Sequence, residues 1–93
     1  MQLSYVYILT NSSKTVLYVG VTSDLAKRII EHKQGIGSAF TKRYNVKFLI
    51  YFEQFTDISQ AILREKQLKN WHKEWKWNLI KEANSALEEL EIL

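Results

Sequence analysis

The chain has no cysteine and no proline among its 93 residues, and only three glycines and two histidines. Without cysteine, disulfides, thiol catalysis and thiolate-bound zinc are excluded, and a reducing cytoplasm is the expected setting. Without proline, no proline-rich linker divides the chain, and no repeat or low-complexity segment is present. No apolar run approaches the length of a membrane span. Met1-Gln2-Leu3-Ser4 leads straight into strand-like sequence, so neither a membrane segment nor a signal peptide is expected. Against these absences stand a hydrophobic fraction of 46% and an aromatic fraction of 13%, enough for one small core. One domain over residues 1–93 is expected, with 85–93 as a C-terminal tail. The net charge of +3 is mildly basic; it suits a polyanionic partner without requiring one.

Ser4 to Thr10 is a continuous β-branched and aromatic run and reads as a central strand. Asn11-Ser12-Ser13-Lys14 is a turn cluster, and Val16 to Val21 reads as a second strand, antiparallel to the first. Tyr7 and Tyr18 then lie at cross-strand distance. Gly20 leaves room for another group to come close. Thr22, Ser23 and Asp24 can cap a helix running to about Lys33. Leu25, Ala26, Ile29, Ile30 and Lys33 fall on its apolar side, with Arg28 and His32 flanking. Gly35 suits a left-handed C-terminal cap. Ala39 to Asn45 is a short helix or an ordered loop, with Lys42 and Arg43 between Phe40 and Tyr44. That mix fits a surface contacting phosphates and bases, or two aromatic plugs in the core with solvated charges beside them. Val46 to Gln54 is the third strand. Asp57 or Ser59 caps a long helical segment that can break near His72 to Trp75. It carries an apolar stripe of Ala61, Leu68, Trp71, Trp75 and Leu79, and a basic side of Lys66, Lys69, Lys73 and Lys76. Leu87 to Leu93 is an acidic amphipathic end. The expected fold is α+β: a small three-stranded antiparallel sheet flanked by helices, in the order β-β-α-(α)-β-α-α.

Cleaving a phosphodiester needs a group that positions or deprotonates water, a cation for the phosphate and a carboxylate for a metal. Mg²⁺ keeps most of its waters and often uses only one or two carboxylates. The chain offers Tyr7 and Tyr18, Arg28, His32 as a donor or acid/base, and Glu65. Each has an ordinary reading beside this one: a core tyrosine, an arginine paired with Glu31, a helix-end histidine, a surface glutamate, a solvated lysine face.

The order of these pieces resembles the GIY-YIG nuclease superfamily. The resemblance rests on Tyr5-Val6-Tyr7, then Tyr18-Val19-Gly20, then Arg28 and His32 on the next helix, then Arg64-Glu65 on a later one. Phe40-Thr41-Lys42-Arg43-Tyr44, Arg64 to Trp71, and Lys76 with Leu79-Ile80 also match the small stand-alone bacterial members, which are related to the incision domain of the excision-repair nuclease subunit. Tyr5 stands where the name-giving glycine of the first motif would be. The resemblance implies a metal-dependent endonuclease that hydrolyses DNA, with repair or recombination as its context. It implies that Tyr7 and Tyr18 flank the attacking water, Arg28 stabilises transition-state charge, His32 completes the site, and Glu65 holds one Mg²⁺ or Mn²⁺. Gly20 and Asn84 would support the site, and Lys42, Arg43, Lys66, Lys69 and Lys73 would contact the nucleic acid. With no separate recognition domain expected, target recognition would come from the Lys42/Arg43 segment, the lysine face or a protein partner. A binding module without catalysis, and a protein–protein adaptor using Trp71, Trp75 and an exposed Trp77, are the competing readings.

Overall fold

The computed structural model describes residues 2–92; Met1 and Leu93 lie outside the described residues. The elements are β1 (Ser4–Thr10), β2 (Leu17–Thr22), α1 (Leu25–Lys33), α2 (Ala39–Tyr44), β3 (Phe48–Phe55), α3 (Ile58–Asn70) and α4 (Lys73–Ala83). The three strands form one sheet in the order β2-β1-β3, with both pairings antiparallel. The apolar run of β1 is thus the middle strand, covered on both faces, as its lack of polar alternation requires.

Strand alternation sorts the core into two halves. On one face, Tyr7 and Leu9 pack with Leu49 of β3, Leu25 and Ile29 of α1, and Val46. On the other, Val6, Ile8, Val19 and Tyr51 pack against Ala61 and Leu68 of α3 and Ile80 of α4. Asp24 caps α1 by accepting from the Lys27 N–H, and Gly35 takes the left-handed conformation (φ +79°) after its end. In α1 the buried positions are Leu25, Ile29 and His32. Ile30, expected on the apolar side, is exposed, because the helix meets the sheet along a narrow seam one residue round from it.

The long C-terminal segment breaks at Trp71 and His72, whose extended backbone separates α3 from α4. The single stripe expected from the sequence is therefore two. Trp71, Trp77 and Leu79 pack against the core, while Trp75 is 53% exposed. An adaptor built on an exposed Trp77 loses its main support. The basic side divides likewise: Lys66 and Lys69 belong to α3, Lys73 and Lys76 to α4.

Residues 85–92 form no helix; they turn and run back along the outer edge of β3. A β-bulge there leaves Ile50 unmatched between Tyr51, opposite Ile8, and Leu49, opposite Leu9. The Ile50 carbonyl accepts from Asn84 Nδ2 at 3.0 Å, and the Leu49 carbonyl from the Leu90 N–H at 2.7 Å. Asn84 also donates to the Glu88 carbonyl and accepts from the Glu88 N–H. Leu90 and Ile92 then reach the α1 side of the core. Asn84→Ala removes the side chain that ties the end of α4, the tail and the bulge together. We expect it to lower stability by about 1–3 kcal/mol, measured as the urea midpoint. An unchanged midpoint would mean that the tail contributes nothing.

Candidate functional site

The β1–β2 register sets Tyr7 directly opposite Gly20, with Tyr18 diagonal to it opposite Leu9. The hydroxyl end of the Tyr7 ring lies against Gly20: a Cβ there would come within 2.3 Å of the ring carbon Cζ and 2.4 Å of the hydroxyl oxygen. The glycine thus makes the space that the tyrosine fills. The Tyr7 and Tyr18 ring centroids are 6.3 Å apart.

The Tyr7 hydroxyl sits 2.9 Å from His32 Nε2 and 3.4 Å from Arg28 Nε. His32 Nδ1 is 2.9 Å from Thr41 Oγ1, which in turn meets Ser38, the residue that caps α2. One arrangement of protons satisfies every partner in this chain. Arg28 Nε can only donate, so the Tyr7 oxygen accepts there, and the phenol meets both its roles when its own proton points to His32 Nε2. His32 then carries its proton on Nδ1 and donates to Thr41. His32 and Thr41 are both fully buried. Burial pushes the Tyr7 phenol up to about 12, with the Arg28 hydrogen bond pulling the other way. Burial, with the Arg28 charge, holds His32 down to about 4.

Arg28 is clamped as well: one terminal nitrogen donates to the Gly37 carbonyl at 2.7 Å and the other to Glu31 at 3.2 Å. Three of the five guanidinium N–H groups are then used, and two remain for an anion. Thr41, Ser38 and Gly37 complete the cluster, and sequence reasoning did not single out their part in it. A Cβ at Gly37 would lie 2.3 Å from His32 Nδ1, so this glycine bears the imidazole as Gly20 bears the phenol. The signal was the Ser38-x-x-Thr41 spacing, a helix cap just beyond a glycine.

Tyr7, Tyr18, Arg28 and His32 thus converge in one place. The order of strand tyrosine, strand tyrosine, glycine, helix arginine and histidine is realised in three dimensions, and residues 3–78 match the GIY-YIG catalytic domain. The chain belongs to the GIY-YIG family. It is 37% identical over 79 residues to a UPF0213 protein of Haloquadratum walsbyi, covering 85% of this chain and 88% of that one. A UPF0213 protein of Staphylococcus saprophyticus is 37% identical over 83 residues, covering 89% of this chain and 100% of that protein. One from Syntrophus aciditrophicus is 39% identical over 83 residues, covering 88% and 94%. No solved structure matches the chain.

Among the described residues, no hydrogen bond or ion pair joins Glu65 to this cluster. Glu65 lies on α3 with its side chain 14% exposed and pairs with Lys69 at 3.0 Å. Among the described residues, no three acidic or histidine side chains gather as a metal-holding group. The donor set fits a hard ion bound by a single carboxylate and water, as Mg²⁺ allows, and does not fit zinc. Lys66 and Lys69 are exposed on α3, and Lys42 and Arg43 on α2. Lys73 is tied to the β1–β2 turn, donating to the Thr15 carbonyl, and burial with nearby Lys73 lowers the pKa of Lys76. No helix among the described residues is long and apolar enough to cross a membrane.

Two buried groups of this cluster contribute to a stability window, alongside buried Tyr51, whose phenol is also pushed up by burial. His32 falls from 6.5 to about 4 on folding, so as pH drops through that interval the unfolded chain gains a proton that the folded one refuses. Tyr7 rises from 10.0 to about 12, so above pH 10 the unfolded chain loses a proton that the folded one keeps. Urea midpoints should fall on both sides, with His32 contributing a slope of up to about 1.4 kcal/mol per pH unit on the acid side. His32→Gln should flatten the acid side; the same slope in that variant would place its origin elsewhere.

Proposed function

We propose that this GIY-YIG domain is a metal-dependent endonuclease that hydrolyses phosphodiester bonds in DNA. The observation that carries this reading is the Tyr7 hydroxyl, held between a neutral His32 and a charged Arg28. Tyr7 and Tyr18 orient the attacking water. One of the two tyrosine oxygens takes the water's proton as general base, and the Arg28 charge beside Tyr7 favours the ionised phenol there. His32, buried away from substrate, acts through Tyr7 as a positioning residue. The two unused Arg28 N–H groups take the scissile phosphate and the charge that develops on it. Glu65 would hold one Mg²⁺ or Mn²⁺, which supplies Lewis-acid stabilisation of the phosphate and leaving oxygen. Lys42, Arg43, Lys66, Lys69 and Lys73 contribute positive charge along the DNA. The setting supported by the family resemblance is DNA repair or recombination in the cytoplasm, with a protein partner supplying targeting.

The Glu65–Lys69 ion pair favours a second reading, a DNA-binding module without turnover. Cleavage of a panel of duplex, single-stranded and branched DNAs, with Mg²⁺ or Mn²⁺, separates the two. The wild type should cut. Glu65→Gln should abolish cutting, and Arg28→Ala should reduce it about 10²–10³-fold with binding retained. Binding without cleavage in the wild type would establish the second reading, and equal cleavage by wild type and Glu65→Gln would remove Glu65 from the site.

A further inference from the structure

Beside the cluster stands a set of aromatic rings that the proposed chemistry does not use. Phe40 and Tyr44, four apart on the six-residue α2, form a pair with ring centroids at 4.9 Å. Neither ring fills the core: Phe40 is 42% exposed and Tyr44 44%. Phe40 stacks on Tyr18, 6.0 Å between centroids and 28° between planes, and the Tyr18 ring in turn meets His32 at 5.4 Å. The rings therefore lead without interruption from the buried cluster to solvent. Charge accompanies them. The Arg43 guanidinium lies 5.4 Å from the Tyr44 ring centroid, and Lys42 is exposed beside it.

Two exposed aromatic rings normally make an apolar patch that needs a cover. Here the cover must be flat, apolar on its faces and attached to negative charge, since the patch is edged by Lys42 and Arg43. A nucleobase on its phosphate backbone meets each condition. In a duplex, base faces are stacked on one another and only their edges reach the grooves. A base lying on Phe40 or Tyr44 must therefore be unpaired.

The geometry points to Phe40 and Tyr44 as a stacking platform for an unpaired base of a single-stranded DNA segment running into the Tyr7–Arg28 cluster. The inference deepens the endonuclease reading and rests on it for the identity of the ligand. It narrows the substrate to DNA with unpaired nucleotides beside the cut. Gly37 links the two parts: its carbonyl anchors Arg28, and α2 starts two residues later. Phosphate held at Arg28 and base held at Phe40 can then belong to neighbouring nucleotides.

The test is binding without metal, in EDTA, at fixed low salt. The probes are a single-stranded DNA of roughly ten nucleotides carrying 2-aminopurine, and the same strand in a full duplex. The wild type should bind the single strand more tightly and quench its 2-aminopurine fluorescence. Phe40→Ala and Tyr44→Ala should each weaken single-strand binding about tenfold and remove most of the quench, with duplex binding unchanged. Phe40→Leu, which keeps apolar bulk but has no ring face, should behave like Phe40→Ala. Phe40→Tyr should behave like the wild type. Duplex preference by the wild type, single-strand binding without quenching, or full binding by Phe40→Leu would overturn the platform. Each leaves the endonuclease reading standing if Mg²⁺-dependent, Glu65-dependent cleavage is seen. Absence of both binding and cleavage would overturn the two together.

Discussion

The placement of one buried phenol governs the rest of the site. A tyrosine hydroxyl inside a small core costs free energy unless both its donor and acceptor roles are met. Here His32 takes the proton and Arg28 supplies one, and each is itself held by a further partner, Thr41 and the Gly37 carbonyl. Two glycines complete the fit, one beneath each ring. Among the described residues, no buried side-chain nitrogen or oxygen lacks a partner. Such a network is sensitive to small changes because each of its members satisfies the next. It also presents Arg28 half-buried at its rim, where desolvation strengthens attraction to an anion.

Much of this was legible in the sequence, and the reasons are local. The β-branched and aromatic run of β1 has the observed bounds, Ser4 and Thr10, because a fully covered central strand needs apolar side chains on both faces. β2 and β3 lie one and two residues later than their apolar runs begin, since pairing with β1, rather than composition, decides where an edge strand starts. Gly20 and Gly35 carry the roles that lack of a side chain predicts, a close approach and a left-handed turn.

What the sequence concealed depends on tertiary partners. His32 reads as a flanking, polar helix residue, yet it is fully buried because Tyr7 and Thr41 satisfy both of its nitrogens. Thr41 sits nine residues further on, and nothing local ties it to the imidazole. Phe40 and Tyr44 allowed a core or a surface reading; only the position of α2 above Tyr18 leaves their outer faces open. The break between α3 and α4 carries no glycine or proline to mark it. It follows from Trp71 turning toward the core, where Arg64 covers its ring at 5.2 Å.

The direction of the Tyr7–His32 hydrogen bond decides how the phenol is held and which face of its oxygen is left for water. Long-range ¹H–¹⁵N correlation of the histidine side chains at neutral pH observes it directly. His32 should be neutral, protonated at Nδ1 and bare at Nε2. A His32 protonated at Nε2, or carrying protons on both nitrogens at neutral pH, would contradict it.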